Sequence, residues 1–356
     1  MNLKRLRKRV DSIDSDILNL LNKRAGVIKH IGKEKAKRKE PIYVPHREKD
    51  VYKKLISKNR GPISDESLKA IFREVMSSAL ALERPLVIAY LGPEFTFTHL
   101  ASMKKFGSSV TYAPCETITD VFAEVERGRA DYGVVPIENS IEGAVNHTLD
   151  MFADSDLKVC SEIYLEISHS LLSGNTDKKK IKKVYSNPQV FGQCRLWLES
   201  NLPKAGLVEV SSTAKAAEIA SKLPGSACIA SELAAGKYSL KVLSRSIEDS
   251  AHNVTRFLVI GKTDAKPAKD DKTSIMFSVK DRVGALHDML VPFKKYGINL
   301  TKIESRPSKV KAWEYYFFVD LGKHRQDPKV GKALAELEKV TSFIKVLGSY
   351  PAGECV

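Results

Sequence analysis

Leu3, Leu6, Val10, Ile13, Ile17 and Leu20 are spaced 3-4-3-4-3, the period at which one stripe of an α-helix forms a coiled-coil seam. That spacing commits the start of the chain to one long helix. Continued, the stripe reaches Arg24 where the seam requires an apolar residue, then returns to Val27 and Ile31. A neighbouring stripe runs Arg7, Asp14, Leu21, Ile28 and Lys35, so Lys35 also follows apolar members. The neighbours of Arg24 three and four residues away are Leu20, Leu21, Val27 and Ile28, none of which neutralises it. One long cationic side chain can run out to solvent. Two of them, about 16 Å apart along the axis and about 20° apart around it, point to an anion pocket inside a helical bundle. Arg7 lies about 25 Å from Arg24 on the same axis, too far to share a small ligand, so Arg7 is expected to serve the pocket of a second chain.

Residues 1–84 read as all-helical, with Pro41, Pro45 and Pro62 between helical patterns. Three helices make a thin core, and an intertwined homodimer or higher homo-oligomer is expected. This quarter holds 22 Lys/Arg against 11 Asp/Glu, out of a formal charge of +15 for the 356 residues. Nucleic acid, a small multiply charged anion and a plain solvated helix face all fit such an excess. Cations set among apolar seams favour the pocket, so no nucleic acid is expected. No apolar run approaches the roughly 18–20 residues of a membrane span, and "MNLKRLRKRVDSID" lacks the apolar core of a signal peptide. A cytoplasmic protein without membrane partners is the expectation. Cys115, Cys160, Cys194, Cys228 and Cys355 are scattered with no C-x-x-C, which suggests neither a disulfide framework nor a metal site. No cofactor is expected.

Residues 85–262 mix short apolar runs such as "LVIAYLG", "YGVVPIE" and "FLVIG" with helical stretches, the mark of an α/β domain with a largely buried sheet. In "NVTRFLVIGK" (253–262) a buried strand opens on Asn253, Thr255 and Arg256, groups that are costly to bury unpaired. Polar residues also end the runs in "YLGPEFTFTH", "VVPIENSIEG" and "VYSNPQVFGQC", and Ser212 and Thr213 open a helix in "VSSTAKAAEIA". Helix caps and turns explain any one of these. Five together predict a shared cleft at strand ends. Residues 263–272, "TDAKPAKDDK", read as a linker, and the chain from 273 to 356 reads βαββαβ, a ferredoxin-like α+β layout.

These stretches carry three family resemblances. "LRKRVDSIDSDILNLLNKRAGVIKHIGKEK" with "HREKDV" and "LKAIFREVMSSALALE" is similar to the all-helical chorismate mutases. The resemblance implies that Arg7 of one chain and Arg24 and Lys35 of the other bind the carboxylates and ether oxygen of chorismate, with Arg47 and Glu48 nearby. The reaction is a unimolecular rearrangement to prephenate that needs positioning and charge stabilisation rather than a covalent catalyst. Val44 stands where some relatives have an aspartate, and Glu83 where some have glutamine. A protonated Glu83 donates to the ether oxygen and a carboxylate repels it, so mutase activity is expected to fall as pH rises.

"GPEFTFTH", "PIENSIEG", "YSNPQVFGQC" and "NVTRF" together resemble prephenate dehydratase, implying two lobes of periplasmic-binding-protein type around an active site. Prephenate there loses water and CO₂ to give phenylpyruvate. The resemblance puts Thr255 at the departing hydroxyl, with Asn139, Ser186 and Gln193 as binding or polarising partners. The strand and helix ends add Ser140 and Thr213 as binding candidates. Arg256 either pairs a substrate carboxylate or points to solvent, and Glu138 is a candidate acid if burial raises its pKa. Phe95, where relatives have glycine, argues against a positive φ, and Asn187 replaces a histidine. "GALH" and "ESRP" resemble the paired motifs of ACT domains. They imply a phenylalanine effector site at Gly284, Ala285, Leu286 and His287 with Glu304, Ser305, Arg306 and Pro307. The whole chain reads as a multidomain bifunctional enzyme of phenylalanine biosynthesis: a mutase domain at 1–84, a dehydratase domain at 85–262 and an ACT regulatory domain at 273–356. Its ligands are chorismate, prephenate and phenylalanine. A non-catalytic binding protein with the same cleft is the alternative, and it has no need of Thr255.

Overall fold

A computed structural model of the chain describes residues 2–38, 40–175, 177–250, 252–279, 282–307 and 315–353. Cys355, Asp281, Ser308, Lys309, Trp313 and Glu314 of the stretches read above lie outside the described residues.

The amphipathic start forms α1 (Leu3–Arg38), followed by α2 (Pro45–Lys58) and α3 (Asp65–Glu83). Pro45 sits at the first turn of α2, where its missing N–H costs nothing. Ser64 caps α3 by accepting from the Ser67 N–H. Gly32 lets α1 approach α3 closely, because a Cβ there would stand 3.1 Å from Glu83 Cγ. No residue of α1 is buried. Leu3, Val10 and Leu20 of the predicted seam are 62%, 55% and 64% exposed, so the stripe has no cover within one chain.

The middle of the chain continues as β1 (Val87–Leu91), α4 (Phe97–Phe106), β2 (Thr111–Cys115), α5 (Ile118–Glu126), β3 (Tyr132–Asn139), β4 (Gly143–Ala144), α6 (Asn146–Asp154) and β5 (Lys158–Glu166). A second lobe follows: β6 (Ser170–Ser173), β7 (Lys183–Ser186), α7 (Pro188–Gln193), α8 (Arg195–Asn201), β8 (Gly206–Glu209), α9 (Thr213–Lys222), β9 (Ser226–Ala230), α10 (Glu232–Lys237) and β10 (Lys241–Ser244). Then β11 (Val254–Gly261) returns to the first lobe and pairs antiparallel with β3 and β5. The first sheet runs β2-β1-β3-β11-β5 with β4 on β3, and the second runs β10-β6-β9-β7-β8. Phe257 to Ile260 are buried, as the apolar run requires.

The last part is β12 (Asp271–Ser278), α11 (Ala285–Tyr296), β13 (Leu300–Pro307), β14 (Tyr315–Gly322), α12 (Pro328–Val340) and β15 (Phe343–Pro351), with sheet order β13-β14-β12-β15. The expected βαββαβ order holds. The stretch expected as a linker is instead docked. Asp271 already pairs with Pro351 in β12, and Cys160 Sγ reaches the Thr263 carbonyl. This sheet lies directly against the middle domain: a Cβ on Gly348 of β15 would clash with the Val159 carbonyl oxygen of β5. Among the described residues no helix is long and apolar enough to cross a membrane.

Candidate functional site

Between α1, α2 and α3 lies a cavity of about 490 Å³ lined by Arg24, Lys35, Arg47, Glu48 and Glu83 among apolar side chains such as Ile28 and Met76. Five of the six polar residues read for this pocket therefore meet, and Arg7 is not among its lining. Arg24 is half-buried and donates through Nη1 to the Val75 carbonyl over 3.4 Å. Burial pushes its guanidinium below the ordinary value. Among the described residues no carboxylate stands within ion-pair distance of it. Lys35 differs: it donates to the Ile42 carbonyl (2.9 Å) and to Glu83 Oε2 (3.0 Å). Glu83, expected to donate a proton to the ether oxygen, is here a partner of that lysine, its side chain 6% exposed. Val44 adds only apolar wall. Part of the cavity belongs to the middle domain, through Lys105, Phe106, Tyr132 and Lys266. The one-dimensional pattern holds no signal for that wall.

The second site lies where β3 ends and β11 begins. Asn139 Oδ1 accepts from the Ile141 and Glu142 N–H groups (2.9 and 3.1 Å), which fixes its amide. Its Nδ2 then donates to Asn253 Oδ1 (2.7 Å) and Thr255 Oγ1 (2.8 Å). Because Thr255 Oγ1 accepts here, its own proton is available to a third group. Asn253 Nδ2 donates to Gln193 Oε1 (3.1 Å), and Gln193 Nε2 donates to Glu142 Oε1 (2.7 Å). His169 completes the set at 2.7 Å from Gln193 Oε1. That oxygen only accepts, so Nε2 carries the proton. Burial lowers the pKa of His169, and its Nδ1 is buried without a hydrogen-bond partner among the described residues. The network spans both lobes and answers why a buried strand opens on polar residues. Asn253 is 1% exposed and paid for by this chain of bonds.

Sequence reading singled out Asn253 but missed His169 and Glu142 as site members. A histidine opening the apolar "HSLL" run was the available signal. Two predicted residues are committed internally: Ser186 Oγ donates to the Ile229 carbonyl (2.9 Å), and Ser140 Oγ clips the Val254 N–H and His252 carbonyl. Thr213 is the first residue of α9 behind the Ser212 cap. Asn187 caps α7 by accepting from the Gln189 N–H. Phe95 does adopt φ +68, contrary to expectation. Its N–H donates to His99 Nδ1 (3.0 Å), its carbonyl accepts from Ser231 (3.2 Å), and its ring lies 5.3 Å from the Lys237 ammonium. These contacts outweigh a backbone cost of roughly 1–2 kcal/mol.

Arg256 and Glu138 face the other way. They are cross-strand partners on β11 and β3, and side chains alternate faces along a strand, so they point opposite to Thr255 and Asn139. Arg256 is 5% exposed and sits 2.8 Å from Glu162 and 2.6 Å from Asp320 of β14, with Nη2 donating to the Tyr350 hydroxyl over 3.1 Å. Glu138 pairs with Lys302 of β13 at 2.8 Å. Both residues, read as cleft groups, belong to the contact with the C-terminal sheet.

In that sheet Gly284 takes φ +80 as the residue before α11, a conformation that glycine adopts without strain. Ala285 begins the helix, Leu286 is 49% exposed, and His287 stands 3.3 Å from Asp288. Glu304, Ser305 and Pro307 lie on β13, an edge strand paired only with β14. Arg306 of the same strand reaches Asp150 of α6 at 3.0 Å and so ties the edge to the middle domain.

Three family models match in chain order: chorismate mutase type II at residues 6–84, prephenate dehydratase at 88–265 and the ACT domain at 273–339. A bifunctional chorismate mutase/prephenate dehydratase of Aquifex aeolicus is 54% identical over 98% of both chains. One of Pseudomonas aeruginosa is 46% identical over 98% of this chain and 97% of its own. A crystal structure of prephenate dehydratase from Arthrobacter aurescens in complex with L-Phe superposes with a TM-score of 0.70 at 34% identity, covering 75% of this chain and 90% of that one.

Proposed function

The chain belongs to the bifunctional chorismate mutase/prephenate dehydratase family, and from that membership we propose how its residues divide the work. The protein rearranges chorismate to prephenate, converts prephenate to phenylpyruvate, and is feedback-regulated by phenylalanine through its ACT domain. Residues 1–84, 85–262 and 273–356 carry these three roles in turn.

The observation that carries the mutase assignment is Arg24, half-buried in a cavity of about 490 Å³ with no acid paired to it among the described residues. Chorismate is a dianion and supplies the missing negative charge. Arg24 and Arg47 hold carboxylates and fold the substrate into a chair. Lys35, released from Glu83, stabilises charge on the breaking C–O bond. Arg7 comes from a partner subunit, and the uncovered seam of α1 supports that homodimer. Glu83 adjusts the same step. Glu83→Gln frees Lys35 from its ion pair and should change mutase kcat/KM, and an unchanged value would remove Glu83 from the step.

In the dehydratase cleft the C–CO₂ bond breaks, its electron pair moves through the ring and expels the hydroxyl at the opposite carbon, and that hydroxyl takes a proton and leaves as water, which makes the ring aromatic. The Thr255 hydroxyl, its oxygen already accepting from Asn139, orients toward that leaving group and donates to it. Asn253, Gln193 and His169 hold the two lobes in register around it. The effector's carboxylate meets the N–H groups at Gly284 to Leu286, and its ammonium meets Glu304 across paired ACT edges. A cytoplasmic location fits such an enzyme. The test is incubation with chorismate, following prephenate and phenylpyruvate separately with and without phenylalanine. Accumulation of neither product would refute both activities.

A further inference from the structure

Glu48 lies in the first turn of α2, yet what holds it belongs to the neighbouring domain. The Lys105 ammonium, on the last turn of α4, stands 2.9 Å from Glu48 Oε2, and the two side chains are 19% and 13% exposed. The Tyr43 hydroxyl donates to the same oxygen over 3.1 Å. Tyr43 is itself only 4% exposed, its ring inserted into the dehydratase core 4.9 Å from Phe106 and 5.4 Å from Tyr132. The Lys105 ammonium lies 5.9 Å from the centre of that ring. The segment joining α1 to α2 is therefore anchored in the domain next door, and Glu48 is held by two groups fixed there.

The pocket's chemistry gives this contact a purpose. A carboxylate facing a dianionic ligand repels it unless something matches its charge, and in a partly desolvated cavity that repulsion is weakly screened. Lys105 matches Glu48 while leaving Arg24 unspent. We infer that Lys105 is a positioning residue for the mutase reaction: the dehydratase domain neutralises and orients Glu48, and the mutase pocket attains its working geometry only with that domain docked. The inference rests on the reading of this cavity as the chorismate site.

The test uses the full-length chain and four variants: Lys105→Met, Lys105→Arg, Glu48→Gln and the Lys105→Met/Glu48→Gln double. Lys105→Met should lower mutase kcat/KM roughly tenfold, mainly through KM, as expected for loss of one charge-assisted bond. Dehydration of supplied prephenate should stay at the wild-type rate, which also reports an intact fold. Lys105→Arg should restore most of the loss. In the Glu48→Gln background Lys105→Met should cost almost nothing, because the charge it matches is gone. A silent Lys105→Met overturns the inference alone, as does an additive double variant. Full mutase activity in an Arg24→Met control overturns the reading of the cavity and the inference with it.

Discussion

Arg24 and Arg256 are both drawn out of water, and the chain treats them in opposite ways. Arg24 meets one backbone carbonyl and apolar walls, and burial lowers its pKa. Burial of Arg256 acts in the same direction, but Tyr350, Asp320 and Glu162 outweigh it and hold the guanidinium above its ordinary value. A cation whose charge is balanced inside the protein holds parts together, here β11 of the dehydratase domain and the ACT sheet. A cation left unbalanced costs stability that a ligand recovers on binding. Residue type and burial alone do not separate the two cases; the partners do.

The comparison is easiest to break through Thr255, the neighbour of Arg256 on the opposite face. Thr255→Val should lower dehydratase kcat by about 10²–10⁴-fold, the range for a lost proton-transfer group, and leave mutase turnover untouched. Arg256→Met, one residue on, should act mainly on stability. Glu162 keeps Lys272 at 2.8 Å, but Asp320 is left buried without a cation, which should cost about 3–5 kcal/mol in denaturant unfolding. Equal effects of the two substitutions on chemistry would contradict the separation of faces. A smaller effect comes from His169. Burial depresses its pKa, as it does for His46 and His99. The unfolded chain therefore takes up protons below about pH 6.5 that the folded chain refuses. Stability is fully present above that pH and declines as pH falls. His169→Gln should reduce this acid slope and lower dehydratase activity several-fold. The smallest expected change in stability is Tyr350→Phe, which removes the hydrogen bonds of its hydroxyl with Arg256 and Ser274 and should cost about 2 kcal/mol.

Much of this was legible in the residues. Arg24 and Lys35 announce themselves by breaking an apolar period, and Asn139 and Thr255 by standing polar at the ends of buried strands. The two-residue alternation also held the separation of Thr255 from Arg256 and of Asn139 from Glu138, since neighbours on a strand face apart. Reading both pairs into one cleft overlooked that geometry. Other features depend on approach in space and leave no local trace. Lys105 is 57 residues from Glu48 along the chain and 2.9 Å from it in the fold. Phe95 keeps its positive φ because His99, Ser231 and Lys237 hold it. The exposed seam of α1 shows the reverse case. Its period is plain in the sequence, and in the fold the stripe stays exposed.

The account turns on Arg24 being unmatched inside the protein and matched by the substrate. The most direct measurement is mutase kcat/KM for full-length Arg24→Met, on protein whose Tm is recorded in the same buffer. A loss of at least about 10²-fold, with Tm equal to or above wild type, is the predicted result. Wild-type mutase activity, or a fall in Tm as large as that of Arg256→Met, would contradict it.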